Sequence, residues 1–131
     1  YRVIGFVDAT FTTATGWGSL ALVQGNGGQA LAAMSSLGYG QTWQNVIGSR
    51  TSGTTYYNTT GKPILVSVTA SGGNSTTLNL VVGGVTVCLP NNANTNNTTG
   101  IGIVATGVVP PGASYSATQT GTTISAWAEL R

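Results

Sequence analysis

Between Ile64 and Leu89 apolar and polar side chains alternate with a period of two, the spacing of half-buried β-strands. Ile64, Val66 and Val68 alternate with Leu65, Ser67 and Thr69. Pro63 has no amide to donate and suits the start of that strand. Gly72-Gly73-Asn74 reads as a turn. Leu78, Leu80 and Val82 then share one face, followed by Gly83-Gly84 and by Val85, Val87 and Leu89. A two-residue turn at Gly83-Gly84 sets Val82 opposite Val85, Leu80 opposite Val87 and Leu78 opposite Leu89. These six side chains are then expected on one half-buried face, with Asn79, Val81, Thr86 and Cys88 on the other.

Beyond Pro90 the segment Asn91 to Gly100 is a loop made almost wholly of Asn and Thr, and Ile101, Ile103 and Ala105 resume the alternation. Pro110-Pro111-Gly112 forces another turn, Tyr115 falls in a short strand, and Gly121 introduces the last one. There Ile124, Ala126, Ala128 and Leu130 face one way, and Ser125, Trp127, Glu129 and Arg131 the other. Tyr1 to Asp8, Gln41 to Val46 and Thr54 to Asn58 read as further strands. Residues 29–37 form the one helix candidate, with Leu31, Met34 and Leu37 spaced by three and Gly38 as its stop. Short strands with frequent turn signals predict an all-β fold, an antiparallel β-sandwich of jelly-roll-like kind with at most one short helix. The length of 131 residues fits one domain over 1–131.

Charge changes the functional picture. Charged side chains make up 5% of the chain, against about 25% in an ordinary soluble domain. Thr, Ser, Asn and Gly stand in their place, giving a surface of hydroxyls and amides. Arg2, Arg50, Lys62 and Arg131 are scattered singly against Asp8 and Glu129, so no basic patch is available to a phosphate backbone, and nucleic acid is not an expected partner. No run approaches the ~20 apolar residues of a membrane span. With no initiator Met and no leader, the chain is expected to begin inside a longer protein, and the strand running up to Arg131 is expected to be its natural end. Cys88 stands alone, which excludes an intrachain disulfide and fits synthesis in a reducing cytoplasm.

Acid–base chemistry has few candidates. Histidine is absent, which removes the usual base of a hydrolytic triad. Asp8 and Glu129 are the two available carboxylates; each is expected to be a solvated charge or a partner for Arg2 or Arg131. Cys88 with two carboxylates is too small a set for a tetrahedral metal site, and neither metal nor other cofactor is expected. The aromatic residues could stack on sugar rings, although most Trp and Tyr side chains pack inside sheets or between subunits. Tyr56 and Tyr57 are adjacent in a strand and must point to opposite faces, so at least one is expected to face away from the core. The amide-rich loop after Asn91 is either a plain hairpin end or a tip for saccharide hydroxyls. Tyr56, Asn92, Asn94, Asn96 and Asn97 are therefore the candidate receptor-binding residues.

Four ordered motifs go further. Gly38-Tyr39-Gly40-Gln41-Thr42-Trp43-Gln44 leads to Thr55-Tyr56-Tyr57-Asn58-Thr59-Thr60-Gly61-Lys62-Pro63-Ile64, then to Val109-Pro110-Pro111-Gly112 with Tyr115-Ser116, and finally to Trp127-Ala128-Glu129-Leu130-Arg131. This series resembles the C-terminal region of tailed-bacteriophage tail fibre proteins and related prophage tail proteins, and the similarity reaches back to Tyr1-Arg2-Val3-Ile4-Gly5. Cys88 departs from that pattern. The resemblance implies a homotrimeric β-rich tip of the virion's tail fibre, assembled in the host cytoplasm and acting at the host cell surface. Its expected role is that of a receptor-binding protein for a polysaccharide or outer-membrane protein in host adsorption. It is not expected to be an enzyme or to insert in a membrane. A purely structural virion part without receptor affinity is the alternative, and a depolymerising tailspike would need more carboxylates than one chain has.

Overall fold

In the computed structural model the described residues are 35–93 and 101–131, together with four short strand segments nearer the N-terminus. Those segments are β1 (Val7–Asp8), β2 (Phe11–Thr12), β3 (Gly16–Trp17) and β4 (Ala21–Leu22), paired as two small antiparallel ladders, β1 with β4 and β2 with β3. The other described strands are β5 (Trp43–Asn45), β6 (Tyr56–Tyr57), β7 (Ile64–Val82), β8 (Val85–Cys88), β9 (Asn91–Asn92), β10 (Ile101–Val109) and β11 (Ser114–Leu130). They make one antiparallel sheet that nearly closes into a barrel, in agreement with the expected all-β class. The helix candidate at 29–37 lies largely outside the described residues; Ser35 to Gly40 is a series of turns, in which Gly38 takes φ +93°. The one described helical element is a 3-10 turn at Ile47–Ser49.

Two long strands, β7 and β11, carry the architecture. The first half of β7 lies between β10 and the end of β11, which β5 flanks. Its second half lies between β8 with β9 and the start of β11, which β6 flanks. Gly72-Gly73-Asn74 does not reverse the chain as the sequence suggested. It is a corner within one continuous strand, because Gly72 pairs with Thr122 and Thr77 pairs with Thr120. The corner uses left-handed backbone at Ser75 (φ 53°) and Gly121 (φ 65°). It is tight: an added Cβ at Gly72 would lie 2.7 Å from the Gly121 carbonyl oxygen. Likewise Gly121 marks a bulge inside β11, not the start of a separate strand.

Bulges also correct the face assignments. Each extra residue in one strand flips the phase of everything beyond it. A register shift between Ile124 and Ala126 brings Ile124 to the inner side with Trp127 and Glu129, which alternation had placed on opposite faces. In the β7–β8 hairpin Val82 does face Val85, but Val81 faces Thr86 and Leu80 faces Cys88, not Val87. Val87 is the extra residue. Leu78, Leu80 and Val82 are buried while Val85, Val87 and Leu89 remain exposed, so the expected common face splits between core and solvent.

The core is the inner face of the bent sheet. Ile64, Val66, Val68 and Ala70 from β7 meet Leu78, Leu80 and Val82 beyond the corner, together with Ile103, Ala105 and Val109 of β10. Tyr115, Ala117 and Trp127 of β11 complete it. The predicted alternation in the first half of β7 is thus the observed one. Where β8 approaches β10, Val87 covers a glycine: an added Cβ at Gly107 would lie 2.9 Å from Val87 Cγ2 and 3.0 Å from Leu80 Cδ2. Cys88 is half-buried against this core as a free thiol.

Candidate functional site

Glu129 sits on the inner face of β11 and is fully buried; of the two roles expected for it, a solvated charge or a partner for Arg2 or Arg131, the structure shows the pairing with Arg131. An isolated carboxylate there would be costly, so it is paired. Arg50 Nε donates to Oε1 at 2.8 Å and Nη2 to Oε2 at 3.0 Å, a two-pronged pair. The Tyr115 hydroxyl donates to Oε1 at 2.7 Å, and Arg131 Nη1 donates to Oε2 at 2.7 Å. Burial pushes this carboxylate upward in pKa, but the hydrogen bonds from Arg50 and Tyr115 and the charges of Arg50 and Arg131 outweigh it, leaving it below the usual glutamate value. Burial, then the adjoining Glu129 charge, pushes the Tyr115 phenol up to about 12. The Arg50 guanidinium is raised, chiefly by its bond to Glu129. At neutral pH the carboxylate is ionised and its lone pairs are engaged, an arrangement that clamps two arginines in place. Asp8, the other acid, has its side chain outside the described residues.

Tyr56 belongs to this cluster. Its ring lies 5.9 Å from that of Tyr115 and meets Trp127 edge-on at 6.0 Å, while the Arg50 guanidinium stacks 4.5 Å from its centroid. Its hydroxyl accepts a bond from the Thr51 amide at 2.8 Å. Tyr57 is the member of the pair that faces outward, with 61% of its surface exposed. Asn92 pairs with Thr76 across the sheet and donates to the Gly73 carbonyl at 3.4 Å. Asn94, Asn96 and Asn97 lie outside the described residues. The structure thus places Tyr56 and Asn92 in different parts of the sheet, in internal contacts.

A cleft of about 410 Å³, broadly open to solvent, adjoins the Glu129 cluster. Ser35, Gly40 and Gln41 line one side, Thr60, Gly61 and Lys62 the other, and Arg131 is shared with the cluster. Its walls are held by interior hydrogen bonds. Asn58 is fully buried and closes a turn: its Nδ2 donates to the carbonyls of Lys62 (2.8 Å) and Val109 (2.9 Å), and its Oδ1 accepts from the Thr60 amide and hydroxyl. Gln41 Nε2 donates to the Pro63 carbonyl at 2.9 Å, and its Oε1 accepts from the Gly38 amide, tying both walls together. Thr42 and Arg131 exchange backbone hydrogen bonds at 3.0 and 3.1 Å. Three of the chain's four Lys and Arg residues, Arg50, Lys62 and Arg131, therefore gather at or beside this cleft, and two of them pair with Glu129. The sequence does not reveal it because Arg50 and Lys62 lie more than sixty residues before Glu129 and Arg131 and meet them only in the folded sheet. The signal available was in the motifs, which hold Lys62, Glu129 and Arg131.

No protein-family model matches the chain, and no similar curated protein or solved structure was found.

Proposed function

We propose that this chain is the distal tip of a tailed-bacteriophage tail fibre, assembled as a homotrimer, which binds a polysaccharide or outer-membrane protein on the bacterial surface during host adsorption. The observation that carries the reading is the ordered set of sequence motifs, whose residues have definite work inside the fold. Gln41 and Asn58 close the turns around the cleft, and Tyr115, Glu129 and Arg131 form the buried clamp. Assembly is supported by apolar side chains left in solvent on neighbouring strands: Val85 and Val87 on β8, Leu89 after it, and Val104 and Val108 on β10. Trp43 on β5 and Tyr57 on β6 are also more than half exposed. In a chain with so few charges, a surface of this kind suits burial against further copies and contact with neutral or weakly charged partners.

The test combines solution mass with cell binding. Sedimentation of the purified chain should give three times its mass of 13.2 kDa, and the fluorescently labelled protein should stain particular bacterial strains and block adsorption of phage to them. A trimer that stains no strain and blocks no adsorption points instead to a purely structural virion part. A stable monomer that stains nothing would sink both the assembly and the fibre assignment.

A further inference from the structure

The cleft beside the Glu129 clamp has features that a tightly packed barrel rim does not require. Its two cationic groups are under-used: among the described residues the Arg131 guanidinium gives one bond, to Glu129, and the Lys62 ammonium gives one, to the Tyr39 carbonyl at 2.9 Å. A guanidinium has five donors and an ammonium three, so both keep donors for a ligand. Glu129 shares its single charge between Arg50 and Arg131, which leaves the side chains at the cleft with a positive excess, and no acidic side chain among the described residues is paired with Lys62. The walls expose backbone at two glycines; an added Cβ at Gly61 would meet nothing within 4 Å, and one at Gly40 would meet Lys62 Nζ at 3.8 Å. Beside them the half-exposed Tyr39 ring stands with Lys62 Nζ 5.4 Å from its centroid. The volume of about 410 Å³ falls within the roughly 300–1,000 Å³ of small-ligand sites.

We infer that this cleft binds an anionic sugar: a pyranose bearing a carboxylate or a phosphate, its charged oxygens on Lys62 and Arg131 and its ring against Tyr39 and the glycine backbone. Cations select the anion, and an exposed aromatic face with open amides suits the mixed surface of a pyranose. The inference rests on the receptor-binding reading and names the chemical class of its ligand. It also moves the contact site away from the Asn91 loop to the walls formed by 38–41 and 60–62.

The experiment is an NMR titration of the full chain at low ionic strength with glucuronic acid, glucose 6-phosphate, neutral glucose and an acidic Asp-Glu tetrapeptide. Two variants accompany it. Lys62→Gln removes one charge, and Gly61→Leu fills the cleft from a position where a side chain meets open space. At least one anionic sugar should bind about tenfold more tightly than glucose, and Lys62→Gln should weaken it by about the same factor. Gly61→Leu should abolish binding with an unchanged melting curve, and salt at about 0.3 M should weaken it by screening. Preference for glucuronic acid identifies an acidic polysaccharide as the source, and preference for the phosphate identifies a phosphorylated surface glycolipid. Binding of neither sugar, equal binding of glucose, tighter binding of the peptide, or indifference to both variants overturns the inference. Cell staining keeps the two readings apart. If Lys62→Gln stains cells as well as the native chain does, the receptor reading stands and this site falls. If the native chain stains none yet binds the anionic sugar, the site stands and the fibre reading falls.

Discussion

Replacing Glu129 by Gln tests the buried clamp directly. Four charge-assisted hydrogen bonds end on this carboxylate, from Arg50 (two), Tyr115 and Arg131. Glutamine preserves the volume but removes the charge and turns an amide toward donors that need an acceptor. Removing one partner of a fully buried pair costs roughly 3–5 kcal/mol. Here the arginine side chains keep 14% and 22% exposure and can recover some hydration, which places the loss near the lower end, ~3 kcal/mol. For a domain of this size that lowers the melting temperature by about 10 °C. The pH dependence adds an independent check. The folded carboxylate lies below its ordinary pKa, so it stabilises the fold above the unfolded value of about 4.3 and that contribution disappears as pH falls through the folded value. The chain has no histidine and one other acidic side chain, Asp8. Thermal scans at fixed protein concentration from about pH 6 to about pH 3 should show the native protein losing stability steeply and Glu129→Gln losing much less. A variant melting within about 2 °C of the native chain, or an unchanged acid slope, would refute the clamp as an energetic element.

Two other substitutions probe the walls and the corner. Asn58→Ala leaves the carbonyls of Lys62 and Val109 and the amide of Thr60 without their side-chain partner; urea unfolding should show a loss of about 2–3 kcal/mol, whereas a loss under about 0.5 kcal/mol would mean that backbone alone holds the turn. Gly72→Ala drives a Cβ to 2.7 Å from the Gly121 carbonyl, while Gly107→Ala meets only the ends of Val87 and Leu80 side chains. The first should cost about 3 kcal/mol and the second about 1 kcal/mol or less, and the reverse order in urea midpoints would contradict the corner.

Much of the sheet was readable in the sequence because one face of it is buried. Ile64, Val66, Val68 and Ala70 alternate without interruption, and all four are in the core. What escaped was where the alternation slips. Nothing in Thr-Ile-Ser-Ala-Trp announces that one residue is looped out, so simple alternation puts Ile124 and Trp127 on opposite faces although both pack inward. The same holds at Val87, where a Gly-Gly turn set the first pair correctly and a bulge displaced the next. At Gly72-Gly73 the glycines signalled a change of direction, but local composition does not distinguish a reversal from a corner. That difference is decided by pairing with β11, about fifty residues away. The cleft escaped for a related reason: charges that appear solitary along the chain are neighbours across a bent sheet.

This convergence bears on how the motifs and the proposed ligand contacts relate. Within the four motifs the side chains divide by what the fold asks of them. Gln41, Asn58, Tyr115, Trp127 and Glu129 are turned inward or spend their polar atoms on neighbouring backbone and side chains. The Trp43 and Tyr57 side chains are largely exposed, and the Lys62 ammonium bonds only to the Tyr39 carbonyl among the described residues. Exposed aromatics add nothing to the solubility of a single chain, and side chains of this kind suit contact with a partner. Arg131 links the two groups. One nitrogen of its guanidinium is fixed by Glu129, and the residue lines the cleft. The buried carboxylate therefore does more than stabilise β11: it fixes the guanidinium of a residue that lines the cleft. A ligand bound there would meet a pre-positioned guanidinium, and less conformational entropy would be lost on binding than with a free surface arginine.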